Sequence, residues 1–175
     1  MLSFNDLSFW EKSSYFKEND FVIVGSGIVG LSTSIFLKNK FPRSKILILE
    51  RGYLPTGAST KNAGFACFGS PTELYDDLQS IPENCVWDTF EMRFQGLKTL
   101  FELVNPKSID YDNCGSWDLI EHSNSDLPSD FLDYLNENAK RITKTARVYS
   151  KDNSIMEGFG FSNIQSSYKN CIEEV

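Results

Sequence analysis

The sequence predicts an α/β fold, α+β overall, in which a parallel βαβ unit with helices is followed by the start of an antiparallel domain. Three observations carry this. The apolar run Phe21-Val22-Ile23-Val24 leads into Gly25-Ser26-Gly27-Ile28-Val29-Gly30, which spells a strand, a glycine turn and a helix. A second run, Lys45-Ile46-Leu47-Ile48-Leu49, ends in Glu50, twenty residues after Gly30. Beyond Asn105 the pattern changes to short β-type runs set off by turn residues.

Taken in order, residues 1–19 hold Phe4, Phe9, Trp10, Tyr15 and Phe16, expected as a helical extension packed onto the domain. The unbroken apolar run 21–24 is expected to be a strand buried on both faces. Ile28, Leu31 and Ile35 recur at helical spacing among the small residues Ser32, Thr33 and Ser34, and Phe41-Pro42 closes that helix. Residues 51–69 are mostly small and carry few helix or strand signals, as expected of a mobile loop or of a segment backing onto a large ligand. Asp76 and Asp77 are expected to face solvent on a helix, because sequence neighbours do not share a helix face. Val86, Phe90, Phe94, Leu97, Phe101 and Val104 form the core stripe of a long helix. Ser108–Tyr111 and Ser116–Ile120 flank Asn113-Cys114-Gly115 and predict a hairpin. Asp126-Leu127-Pro128-Ser129 starts a helix whose face is Phe131, Tyr134, Leu135 and Ile142, and Ala146–Tyr149 begins another strand.

The glycine turn carries the chemistry. Gly25 permits a tight turn, Gly27 lets backbone approach a pyrophosphate, and Gly30 lets the helix lie close to the strands. The amides that open the helix, around Ser26, Ile28 and Val29, point at that charge. Glu50 stands where a carboxylate accepts from both hydroxyls of an adenosine ribose and repels a 2′-phosphate. Arg51, beside it, flanks the adenine, faces solvent, or marks a site for a 2′-phosphate. The pattern is that of a dinucleotide-binding unit.

Composition narrows the rest. A net charge of −7 and a pI near 4.8 leave no basic face for nucleic acid. Apolar residues at 41% and aromatics at 14% fit a globular chain. No run has the length of a membrane span, and the N-terminus lacks the layout of a secretory signal, so a cytoplasmic location is expected. Cys67, Cys85, Cys114 and Cys171 contain no C-x-x-C, and there is a single histidine, so no metal site is expected. Cys67 is expected to be a small buried filler, and His122 a solvated loop residue.

Gly57-Ala58-Ser59-Thr60-Lys61-Asn62-Ala63-Gly64, placed just after the acid-ended strand, resembles the second flavin-contacting segment of the D-amino-acid oxidase and glycine oxidase family of FAD-dependent oxidoreductases. The resemblance implies FAD as cofactor and cofactor-binding roles for Ala58, Ser59, Asn62, Ala63 and Gly64, with Ser59 a phosphate-side hydroxyl. It also implies a Rossmann-like FAD-binding domain over 20–104 and the first part of a substrate-binding domain over 105–175. In that family further strands and much of the substrate pocket come from a C-terminal half, so the chain is expected to be an N-terminal fragment, inactive alone. The complete enzyme would oxidise a small amine or amino acid, passing hydride to flavin N5 and leaving an imine. No catalytic residue is assigned, and nothing fixes an oligomeric state. The alternatives are an NAD(P)-dependent dehydrogenase and a non-catalytic nucleotide-binding remnant.

Overall fold

A computed structural model describes residues 4–14, 18–160 and 162–171, and the chain divides into two compact units, 1–65 and 66–175. The first begins with a short helix, α1 (Phe9–Ser14). A capping box opens it: the Ser8 N–H donates to Glu11 Oε2 at 2.8 Å and the Glu11 N–H to Ser8 Oγ at 3.2 Å. Phe9 and Trp10 do not pack onto the domain as expected. They are 71% and 74% exposed and meet each other edge to face at 5.3 Å, on a helix of under two turns that its own local bonds hold. Tyr15 and Phe16, which share that expectation, lie outside the described residues.

Strand β1 (Phe21–Val24), helix α2 (Ile28–Lys40) and strand β2 (Ile46–Leu49) form the βαβ unit. The strands pair in parallel with Phe21 opposite Ile46 and Val24 opposite Leu49. The Gly25 N–H extends the ladder by donating to Leu49 O at 2.7 Å. At its other end Asp20 Oδ2 accepts from the Lys45 N–H at 2.7 Å. Burial on both faces is not observed: Phe21 and Ile23 are half-buried, whereas Val22 and Val24 are 55% and 85% exposed. Among the described residues this sheet has two strands, and α2 packs against both.

The second unit holds the core. Helix α3 (Pro71–Ser80) is capped by Ser70, which accepts from the Glu73 N–H, and helix α4 (Glu83–Leu103) buries Val86, Phe90, Phe94 and Leu97 of the stripe read from the sequence, while Phe101 is half-buried and Val104, also half-buried, caps the helix end because the chain turns extended there. Helix α5 (Phe131–Thr143) adds Leu135 and Ala139. Phe68 meets Phe90 and Phe94 edge to face at 5.1 and 5.5 Å. Asp76 is exposed on α3 and Asp77 half-buried.

The expected hairpin is not formed. Pro106–Ile109 is a 3₁₀ turn capped by Asn105, whose Oδ1 accepts from the Lys107 N–H at 3.0 Å, and Asp110 follows in the left-handed region at φ 49°. Proline at the first helical position and the asparagine cap favour this turn over a strand. Strand β3 (Ser116–Glu121) pairs instead with a distant segment. With β4 (Tyr149–Lys151) and β5 (Ile164–Asn170) it makes an antiparallel sheet in the order β3-β5-β4, and the six-residue helix α6 (Ser154–Phe159) links the last two strands.

Asn136 on α5 fixes β4. Its Oδ1 accepts from the Val148 and Tyr149 N–H groups at 2.8 and 2.9 Å, and its Nδ2 donates to Tyr149 O at 2.9 Å. Burial raises the Tyr149 phenol well above its usual range, and its O–H donates to Gly69 O at 2.7 Å. The turn after β3 is held by Asp126, whose carboxylate accepts from Ser166 Oγ at 2.8 Å, Lys151 Nζ at 2.7 Å and the Tyr168 hydroxyl. Exposed His122 lies on that turn.

Candidate functional site

At the carboxyl ends of β1 and β2 lies a cleft of about 430 Å³, walled by Gly25, Gly27, Glu50, Arg51, Ala58 and Ser59 together with Val24, Leu49 and residues 55–57. The turn that makes it needs its glycines. Gly25 sits at φ +99°, where side chains are disfavoured. A Cβ on Gly30 would stand 2.1 Å from Gly25 O, so α2 could not lie against β1 with any larger residue there.

Two side chains, Glu50 and Ser59, close the turn from outside it. Glu50 Oε2 accepts from the Ser26 N–H at 2.9 Å and from Ser26 Oγ at 2.8 Å, while Oε1 accepts from the Gly52 N–H at 3.2 Å. The Ser26 amide, then its hydroxyl, then the Gly52 amide bring the Glu50 carboxyl down to about 2, so it is charged at any ordinary pH. Ser59 joins α2 to the later segment: the Ile28 N–H donates to Ser59 Oγ at 2.9 Å. Gly27, at the N-cap position, has no side chain to perform that task.

A carboxylate has about four acceptor positions. Ser26 and Gly52 occupy three on Glu50 and the Arg51 N–H also stabilises the charge, so a ribose hydroxyl finds at most one position while Ser26 keeps both its bonds. Receiving both hydroxyls, as the sequence suggests, requires Ser26 to give one up.

The segment 57–64 is built by its own side chains. Ala58–Thr60 is a 3₁₀ turn, and Thr60 Oγ1 donates to Pro55 O at 3.1 Å and Gly57 O at 3.2 Å. Asn62 Nδ2 donates to Ser59 O at 2.8 Å and its Oδ1 accepts from the Gly64 N–H at 2.7 Å, with Gly64 at φ +75°. Asn62, Ala63 and Gly64 are exposed and do not wall the cleft. Val29 lies away from it, 76% exposed beside an apolar groove of about 490 Å³ along α2. Cys67 is exposed rather than buried, because residues 61–67 are all exposed and the chain enters the core only at Phe68. Val24, Leu49, Pro55, Thr56 and Gly57 line the cleft without having been singled out. The signal for the first two was their position, since ligands of parallel sheets bind at strand carboxyl ends.

The model of the FAD dependent oxidoreductase family matches residues 20–159. The chain belongs to that family, whose members depend on FAD. It is also similar to a mitochondrial L-2-hydroxyglutarate dehydrogenase of Dictyostelium discoideum, 32% identical over 97 residues. That match covers 55% of this chain and 19% of the relative's length. No solved structure matches.

The residues present fit the cofactor. The cleft has the volume of a small-ligand site. One wall is a charged carboxylate, another is a helix N-terminus without a side-chain cap of its own, and the side chains between are small. Among the described residues no helix is long and apolar enough to cross a membrane.

Proposed function

We propose that the cleft at the ends of β1 and β2 holds the ADP half of FAD, and that the chain forms the cofactor-binding part of an enzyme oxidising a small amine or amino acid. The observation that carries this is the convergence of Gly25, Gly27, Glu50 and Ser59, from three separate stretches of chain, on one cleft within a family defined by FAD. Glu50 would take a ribose hydroxyl, the α2 N-terminus would face the pyrophosphate, and Ala58 and Ser59 would line its path, with Asn62, Ala63 and Gly64 continuing towards the flavin. Arg51 would flank the adenine. Bound flavin supplies a hydride acceptor at N5. The residues here bind and orient it, while the division into a flavin domain to residue 104 and a substrate domain from 105 is part of the same proposal.

A second reading of the substrate is favoured by one observation, the likeness to a protein named as a 2-hydroxyglutarate dehydrogenase. On that reading the oxidised carbon bears a hydroxyl and the product is a 2-oxo acid. Anaerobic bleaching of the flavin band of the full-length enzyme by amino acids, against 2-hydroxy acids, separates the two. The cofactor assignment is tested by Glu50→Gln, which replaces a charged acceptor with an amide. Weaker FAD retention is expected, and unchanged retention contradicts the role of Glu50.

A further inference from the structure

The bond between the Ile28 N–H and Ser59 Oγ spans 31 residues and satisfies the first of the unpaired amides that open α2, one position ahead of the N2 and N3 amides that an N-cap side chain ordinarily takes. Gly27, at the N-cap position, makes no side-chain cap. The space is also used. A Cβ built on Gly27 would lie 3.0 Å from Ser59 Oγ, tighter than nine in ten real Cβ contacts, and beyond its chain neighbours the other atom within 4 Å is Ser59 Cβ at 3.8 Å. Ser59 in turn sits in a turn that its neighbours brace, through the Thr60 hydroxyl on Pro55 O and Gly57 O and the Asn62 amide on Ser59 O.

We infer that Ser59 is a positioning residue that caps α2 from a distance and straps the 57–60 turn to the glycine turn, and that glycine at 27 keeps that strap in place because a Cβ there would press on the hydroxyl and push it off the Ile28 amide. This second role for Gly27 holds in the cofactor-free protein. It differs from making room for a pyrophosphate, which matters only when cofactor is bound. The strap also bears on binding. Ser59 Oγ accepts from α2, and no described residue accepts its proton, so the proton is available to an anion in the cleft, on a hydroxyl polarised by the helix amide. That last step rests on the proposed FAD site, whereas the strap does not.

The test measures amide hydrogen exchange at Ile28 in the cofactor-free full chain, for the wild type, Ser59→Ala, Gly27→Ala, the double variant and Ser59→Thr. Loss of the cap is expected to speed exchange at Ile28 by about fivefold in Ser59→Ala, the size of one ordinary hydrogen bond. Ser59→Thr, which keeps the hydroxyl, returns it towards the wild-type rate. Gly27→Ala speeds it by itself but adds less than about twofold to Ser59→Ala, because the obstructing atom is already gone. Exchange at Ile28 that is no faster in Ser59→Ala, or effects of the two variants that multiply, overturns the strap. FAD affinity of the same variants, followed by flavin fluorescence, separates the two claims. Faster exchange with unchanged FAD affinity supports the strap and contradicts the FAD reading of the cleft, and weaker FAD binding with unchanged exchange does the reverse.

Discussion

The two units are both rich in apolar side chains and use them differently. In 66–175, Leu135, Ala139, Val148 and Tyr149 are fully buried and Phe90 and Phe94 nearly so. In 1–65, no described apolar residue reaches that state: Val24 is 85% exposed, Val29 76% and Leu54 65%. The difference is one of layers. Two helices, a third at their side and a three-stranded sheet can enclose a volume, whereas two strands and one helix cannot. Helix α2 carries Ile28, Val29, Leu31, Ile35, Phe36 and Leu37 around much of its circumference, a composition ordinarily found in buried helices. Among its described residues the βαβ unit therefore encloses no core of its own. The side-chain bonds at Ser26, Glu50 and Ser59 gather at the glycine turn, with the Asp20–Lys45 bond at the opposite end of the strands.

The largest effect belongs to the second unit. Leu135→Ala is expected to lower stability by about 2–5 kcal/mol in urea unfolding, the cost of a cavity in a closed core. A loss below about 1 kcal/mol would erase the contrast between the units. Next is Gly30→Ala, which pushes a methyl into Gly25 O and must part α2 from β1. FAD affinity is expected to fall by tenfold or more, about 1.4 kcal/mol, with the unfolding of 66–175 unchanged.

Asp126 gives a pH test within the second unit. Burial alone would raise its carboxyl, but the Lys151, Tyr168 and Ser166 side chains and the Leu127 N–H outweigh it and bring the folded value down to about 2, from an ordinary 3.8. The folded value is the lower one. The contribution is thus complete above about pH 4 and is lost as pH falls through 2. Asp126→Asn should flatten that part of the acid unfolding curve and cost about 1–2 kcal/mol at neutral pH. A curve identical to the wild type would remove Asp126 from the account of the turn after β3. The smallest effect is expected at Val29→Ala, within about 0.5 kcal/mol in cofactor-free protein because the side chain is already in solvent. A cost comparable to that of Leu135→Ala would show that α2 has a core of its own.

The sequence made the local and periodic features legible. The stripe of α4 from Val86 to Leu97 and the β1-turn-α2-β2 order follow from spacing and glycine alone, and so does the placing of Glu50 at the end of its strand. The β3–β5 pairing joins residues 116 and 170 across a helix, a strand and α6, and no local pattern encodes that partnership. The same holds for Asp126, which reads as a helix start but is held by Ser166 and Tyr168, forty residues on. At the site, Gly25, Gly27 and Glu50 were legible because their chemistry is tied to a fixed spacing. The bond from Ile28 to Ser59 was not, since a serine reveals its partner only once the chain has folded. Burial misled most at β1 and at Cys67, where apolar character was read as enclosure.

The most direct measurement is hydrogen exchange along the full chain with and without FAD, with NAD as the control. Expected is slowed exchange over residues 24–30 and 49–60 with FAD, far less with NAD, and little change in the helices α4 and α5, which are already enclosed. Equal protection by NAD, or protection by FAD confined to the second unit, would contradict the assignment of the glycine-turn cleft to FAD.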